Sequence, residues 1–212
     1  MRRPLLAIMA LAFAVACDST QPTLHLIQNG GFETGAFTSW TTFDAAGGDT
    51  LGFIVSSDTI MPRSALVVLA PPESAYAAIT DQGGPGTHVL YQDVVLPADR
   101  TATLRATIYL KNTATEYVNA PTAGLAFDGG EDNQQFRVDV MNPAAAVTDV
   151  GAGVLLNVYR TQPGDSLVTG YRTLTADLTP FAGQTVRIRF ALVDNLLFFH
   201  AGVDAVDVEV KD

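Results

Sequence analysis

The sequence predicts an all-β chain folded as an antiparallel β-sandwich or jelly roll, and three observations carry that prediction. Apolar and polar residues alternate with period two through residues 104–111, 136–140 and 186–192, so each stretch buries one face and wets the other. Further short candidate strands lie at residues 24–28, 52–56, 66–70, 88–96, 171–178 and 203–210. Clusters of Gly, Pro, Asn and Asp separate them, and many short strands with such turn punctuation mark a sandwich. Residues 144–160 fit less well. There Val154-Leu155-Leu156 with Val158 and Tyr159 reads as a strand or as a short helix on a sheet edge, with the helix favoured.

The N-terminus reads as an export signal. Arg2 and Arg3 form a basic start, residues 4–16 run apolar without a charge, and Ala14-Val15-Ala16 offers a signal peptidase small residues ahead of Cys17. A membrane-spanning helix needs about 20 apolar residues, so this shorter run is a signal core rather than an anchor. Cys17 is the chain's one cysteine. Standing directly after the cleavage position, it resembles the lipid-bearing cysteine of a bacterial lipoprotein signal, which implies that it is acylated and becomes the mature N-terminus. Ordinary secretion is the alternative. Either way the domain is exported and has no second cysteine with which to form a disulfide. The expected organisation is a signal peptide at 1–16, a lipidated cysteine with a short polar tether at 17–23, and a single sandwich domain at 24–212, a size that sandwiches reach undivided.

Charge narrows the partners. Asp and Glu number 22 against 12 Lys and Arg, and cleavage of the signal removes Arg2 and Arg3. An acidic surface argues against nucleic acid and anionic lipid as partners, leaving membrane contact to the N-terminal lipid. The acidic residues are dispersed rather than blocked, as on a folded, solvated surface. The glycine-rich loop 128–133 concentrates several of them, but its spacing fails the EF-hand pattern and it reads as a solvated loop.

Two distant segments resemble the opening and closing strands of galactose-binding-like jelly rolls, the superfamily that holds many carbohydrate-binding modules. Asn29-Gly30-Gly31-Phe32-Glu33 running on to Trp40 matches the opening, and Val203-Asp204-Ala205-Val206-Asp207-Val208-Glu209-Val210 matches the close. Between them, Tyr91-Gln92-Asp93-Val94-Val95-Leu96-Pro97 is similar to the strand after the first long loop, and residues 175–190 to the loop and strand before the last. Residues 132–140 also resemble uncharacterised exported bacterial proteins of this architecture. The resemblance implies that one sandwich begins and ends within this chain. It further implies a structural calcium ion tying the terminal strands, with Glu33 and Asp204 at the matching positions. A hard cation wants six to eight oxygens, which two carboxylates and loop carbonyls could supply; the alternative is that Glu33 and Asp204 only cap turns. Trp40 reads as a core residue.

Sugar recognition needs aromatic faces and planar polar groups. Tyr76, Tyr91, Tyr109 and Tyr117 are aromatic candidates, and Arg105, Gln135, Arg137, Asp139, Arg187 and Arg189 occupy the polar sides of their strands. If those strands are neighbours, the polar sides make one face that could hold a glycan through bidentate arginine contacts. The alternative is a solvated face of weak cross-strand charge pairs.

Catalytic signatures are lacking. Gly164-Asp165-Ser166-Leu167 spells a lipase-family motif but sits late in an all-β chain, and Leu197 stands where that family places an aspartate three residues before its histidine, here His200. His25, His88 and His200 have no metal-ligand spacing, and no nucleophile elbow or phosphate loop occurs. The expectation is a non-catalytic lipoprotein of the bacterial cell envelope whose carbohydrate-binding-module-like domain binds glycan or polysaccharide. The alternative is a structural or adhesion protein of the envelope that uses its sandwich for protein contacts.

Overall fold

The computed structural model describes residues 22–212. The expected signal peptide, Cys17 and most of the expected tether therefore lie outside the described residues. Strands form two antiparallel sheets. One, here the terminal sheet, contains β1 (Leu24–His25), β3 (Phe53–Ser56), β4 (Ala77–Thr80), β6 (Thr101–Asn112), β9 (Arg172–Asp177) and β11 (Phe199–Lys211), ordered β3-β4-β11-β6-β9 with β1 also on β11. The other, the central sheet, contains β2 (Thr41–Asp44), β5 (Gly86–Val95), β7 (Gln134–Met141), β8 (Val154–Arg160) and β10 (Thr185–Asp194), ordered β2-β5-β10-β7-β8.

Alternation explains the core. Leu104, Ala106, Ile108 and Leu110 project inward from β6, and Val186, Ile188, Phe190 and Leu192 from β10 meet them with Phe136, Val138 and Val140 of β7. All eleven are fully buried, and each large side chain contributes about 1.5–3 kcal/mol of transfer free energy.

The chain's beginning docks on its end. β1 and β4 pair with different parts of the same edge of β11, and between them β11 carries a bulge from Asp204 to Asp207 with Ala205 at φ 47°. The opening motif fills this bulge: Val206 N–H donates to Gly30 O at 3.0 Å. A Cβ on Gly30 would lie 1.8 Å from Val206 O, so this close approach requires glycine. Asn29, at φ 53°, donates from its amide to Ala36 O at 2.9 Å. Trp40 donates to Asn29 O at 3.0 Å and packs 5.3 Å from the Phe32 ring and 6.1 Å from the Phe190 ring. It is a core residue, as the sequence indicates.

Several elements differ from expectation. Residues 154–160 are a strand, not a helix, because the preceding amides are taken by side-chain turns. Asn142 Oδ1 accepts from Ala144 N–H, and Asp149 accepts from Gly151 and Gly153 at 2.7 and 2.8 Å. Residues 66–70 are no strand. They make one isolated bridge, Val67 to Ile60, and belong to a loop that lays Met61 and Val68 over Ile79 and Tyr109. β2 and β4 had no sequence signal, since β2 has no buried residue and β4 is buried at every position, so neither alternates.

Candidate ligand-binding site

The six polar strand residues do not share one face. Arg105 and Tyr109 point outward from β6 on the terminal sheet, whereas Arg137, Asp139, Arg187 and Arg189 point outward from β7 and β10 on the central sheet. The sandwich core lies between the two groups. Tyr109 is also buried beneath the 57–70 loop, 5.4 Å from the Tyr171 ring. Burial raises its hydroxyl pKa, and no ring face is left for a sugar. Arg105 is about half exposed and reaches Glu209 at 3.5 Å, a solvated cross-strand pair.

On the central sheet the same residue types form a buried network. Arg137 donates Nε and Nη2 to Asp139 at 2.6 and 2.9 Å, and Arg189 donates Nη2 to Asp139 at 2.6 Å. Arg189 Nη1 donates to the carbonyls of Val147 and Asp149 at 2.6 and 2.7 Å, which clamps the 142–153 loop across the sheet. Burial pulls the Arg189 pKa down while Asp139 opposes the shift. At the sheet's lower edge Arg187 pairs bidentately with Asp93 at 2.7 and 3.0 Å, its guanidinium 4.1 Å from the Tyr91 ring centre. Asp139 and Arg189 are wholly buried, so they support a floor rather than grip a ligand.

Two clefts open above this floor on either side of the loop that joins β6 to β7. The larger, about 480 Å³, is lined by Asn119, Gln135, Arg137, Arg160 and Gln162. The second, about 450 Å³, has Phe43 and Phe127 beside Thr87, Thr148, Asp128 and Asp149. Gly124 and Val150 line both, and a Cβ on Gly124 would meet Val150 Cγ2 at 3.2 Å, so these two residues form the wall between neighbouring clefts. The loop between them is anchored by Leu125, which packs with Phe127 on Val89, Ala191 and Val193, and by Asn195, whose amide donates to Phe127 O and Glu131 O at 2.8 Å. Glu131 accepts from Thr122 Oγ at 2.7 Å and from the Thr122 and Ala123 amides, which lowers its pKa. The 128–133 loop is thus a structural tie. Sequence reasoning missed Asn119, Arg160, Phe43 and Phe127. Arg160 ends the segment read as helix, and the other three lie in loops or on an edge strand where period two carries no signal.

At the other candidate site, Glu33 accepts from the amides of Ala75 at 3.2 and 3.1 Å and Tyr76 at 3.0 Å. Asp204 is wholly buried beside it; Oδ1 accepts from the Ala205 amide at 2.7 Å, and Oδ2 has no hydrogen-bond partner. Gly31 lies between them, since a Cβ there would sit 3.7 Å from both Asp204 Oδ1 and Glu33 Cγ. Burial, with the nearby charges of Glu73 and Glu33, pushes the Asp204 pKa up to about 7. A buried carboxylate with an orphan oxygen and two like charges at hand suits a cation. Among the described residues no group of three His, Cys, Asp or Glu side chains is gathered to hold a metal, so carbonyls and water would have to complete a shell.

The motif spelled by residues 164–167 is a turn. Ser166 Oγ donates to Val168 O at 2.8 Å. His200 lies elsewhere, bonded through Nδ1 to Thr80 O at 2.6 Å and through Nε2 to Ser64 Oγ at 3.0 Å. It is buried and its pKa is lowered, chiefly by desolvation; its bonds fasten the 57–70 loop to β11.

No known protein family and no curated protein matches the chain. Solved structures do. TmCBM61, determined in complex with β-1,4-galactotriose, is similar at 14% identity over 87% of this chain and 97% of its own, with a TM-score of 0.51. The K3 cleaved adhesin domain of Lys-gingipain from Porphyromonas gingivalis W83 is similar at 16% identity over 89% of this chain and 98% of its own, with a TM-score of 0.52. A Stig cyclase, Fisc from Fischerella sp. TAU, aligns at 17% identity over 90% of this chain and 98% of its own, with a TM-score of 0.49. The chain is an antiparallel β-sandwich of the kind found in TmCBM61 and the gingipain adhesin domain.

Proposed function

We propose that this chain is a non-catalytic glycan-binding domain of the bacterial cell envelope, tethered through a lipid on Cys17. The observation that carries the reading is the pair of neighbouring clefts on the outer face of the central sheet. The floor of the larger is held rigid by Arg137 in its network with Asp139 and Arg189. Their walls offer two phenyl rings at one end and amides with guanidinium groups at the other. Rings take the apolar faces of sugars and planar polar groups take their hydroxyls, and a preformed floor limits the entropy lost on binding. A fold shared with a module that holds a galactotriose supports the reading by analogy. A calcium ion at Glu33 and Asp204 would be structural, joining the opening motif to the bulge of β11, on the support of the orphan Asp204 oxygen.

The test is saturable binding of the purified protein to a polysaccharide panel, with calcium and again with a chelator. Binding that Phe127→Ala weakens by about two- to twelvefold is expected, since an aromatic contact contributes about 0.5–1.5 kcal/mol; a blank panel with folded protein would overturn the reading. Lipidation is tested separately, by moving Cys17→Ser from the membrane to the soluble fraction. A protein-binding role in adhesion has one observation in its favour. Leu196, Leu197 and Phe198 stand exposed together between β10 and β11 around an apolar pocket of about 170 Å³. Such a role predicts a co-purifying partner that Leu197→Asp releases.

A further inference from the structure

We infer that the larger cleft takes a carboxylate-bearing sugar, a hexuronate residue of an acidic glycan, with Arg160 and Arg137 on its carboxylate; the inference rests on the glycan-binding reading and names the ligand class of that site. The cleft's charge runs against the rest of the molecule. Asp and Glu outnumber Lys and Arg 22 to 12 in the chain, yet the charged residues lining this cleft are Arg137 and Arg160 and no acid joins them. The two face each other directly, as register partners across β7 and β8.

Their hydrogen bonding is incomplete in a way that an anion would complete. Arg137 spends Nε and Nη2 on Asp139, while Nη1 makes no hydrogen bond among the described residues. Its side chain is 6% exposed, so the donor is fixed in place rather than free to wander. Arg160 makes no ion pair among the described residues and stands exposed at the rim. Asp139 is shared by Arg137 and Arg189, and the charge of Asp149 also acts on Arg189, so the floor is balanced and the positive excess of the cleft rests on Arg160. Like charges facing across a ladder are unfavourable, and an incoming carboxylate would relieve that repulsion while accepting charge-assisted hydrogen bonds.

The remaining wall fits the rest of a sugar. Asn119 is held by its amide donating to Thr161 O at 2.8 Å, and its Oδ1 is a buried acceptor with no donor; a sugar hydroxyl would supply one. Gln135 and Gln162 add further amide groups. A volume of about 480 Å³ exceeds a single hexose and lies within the range of ordinary ligand clefts.

The experiment compares polygalacturonate with its fully methyl-esterified form, and with dextran sulfate, on wild type, Arg160→Ala and Arg160→Lys. Masking the carboxylate should weaken binding at least about tenfold, Arg160→Ala should do the same to the acid alone, and Arg160→Lys should recover only part. Arg160 is exposed, so its variants should melt with the wild type, which confirms that lost binding is not lost folding. Equal binding of acid and ester would overturn the carboxylate assignment while leaving the glycan reading standing. Equal binding of dextran sulfate, or indifference to Arg160→Ala, would overturn it too, the first by showing a general charge trap and the second by placing the ligand elsewhere. Binding to no glycan at all would remove both readings.

Discussion

On the terminal sheet Arg105 reaches Glu209 at 3.5 Å with about half its side chain in water, and on the central sheet Arg189 meets Asp139 at 2.6 Å with neither exposed. Both arginines occupy outward positions of a strand with the same alternation. The difference comes from what lies on top. The 142–153 loop and the loop from β6 to β7 cover the central sheet and are held there by carbonyls that accept from Arg189 and by Leu125 and Phe127. Among the described residues the lower part of the terminal sheet has no such cover, and Arg105, Glu209 and Lys211 form an open ladder. Covered charges become architecture and shape the clefts beside them, whereas uncovered charges solubilise. Outward on a strand therefore does not mean available to a ligand.

The largest break in that contrast should come from Asp139→Ala. It strands Arg137 and Arg189 without their shared counter-ion, and removing one partner of a buried ion pair costs about 3–5 kcal/mol. Urea unfolding measures this directly. A loss below about 1 kcal/mol would mean that the covering loops open to water and that the floor is not rigid. Replacing Arg137, Asp139 and Arg189 together by apolar residues of similar volume should recover much of the loss, because the desolvation cost goes with the charges.

Asp204 gives the next effect and sharpens the comparison through pH. Its folded pKa is pushed up to about 7 from the ordinary 3.8 of an aspartate, so between those values the folded state holds a proton that the unfolded chain releases. Stability of the chelated protein should then fall as pH rises from about 4 to about 7, by up to about 1.4 kcal/mol per pH unit for this group. Asp194, buried near His88 and likewise pushed up to about 7, adds a fall in the same direction. Calcium at Glu33 and Asp204 should remove the Asp204 share, raising the melting temperature at pH 7.5 more than at pH 5. Asp204→Asn should abolish the calcium response and flatten the slope, leaving the Asp194 share. A melting temperature indifferent to calcium at pH 7.5 would leave these carboxylates as turn caps.

The ends of the chain were the most legible part in sequence. Gly30, Phe32 and Trp40 are constrained by a backbone contact, a tight turn and core packing respectively, and such short-range constraints leave a fixed spelling. Long strands such as β6, β7 and β10 were legible because apolar inward residues alternate with polar outward ones in their sequence, even though loops bury both faces of β7 and nearly all of β10. What failed had another physics. Alternation assigned Arg105 and Arg137 the same status, because period two records a side and not a sheet. Segment 144–160 looked helical because Leu155, Leu156 and Val158 satisfy either period, while Asn142 and Asp149 settled the matter through turns. The cleft residues Asn119, Phe43 and Phe127 come together only through loop packing, which depends on contacts far apart in the chain.

The smallest effect closes the contrast from its exposed side. Arg105→Ala removes a solvated partner of Glu209, which keeps Lys211 at 3.1 Å, so stability should change by no more than about 0.2–1 kcal/mol. That small change should shrink further in 0.5 M salt, where surface charges are screened within a few ångströms. Glycan binding should not change at all, because Arg105 lies on the opposite side of the core from both clefts. If Arg105→Ala weakened binding as much as Arg160→Ala, the ligand would have to lie on the terminal sheet, and the covered face would be support alone.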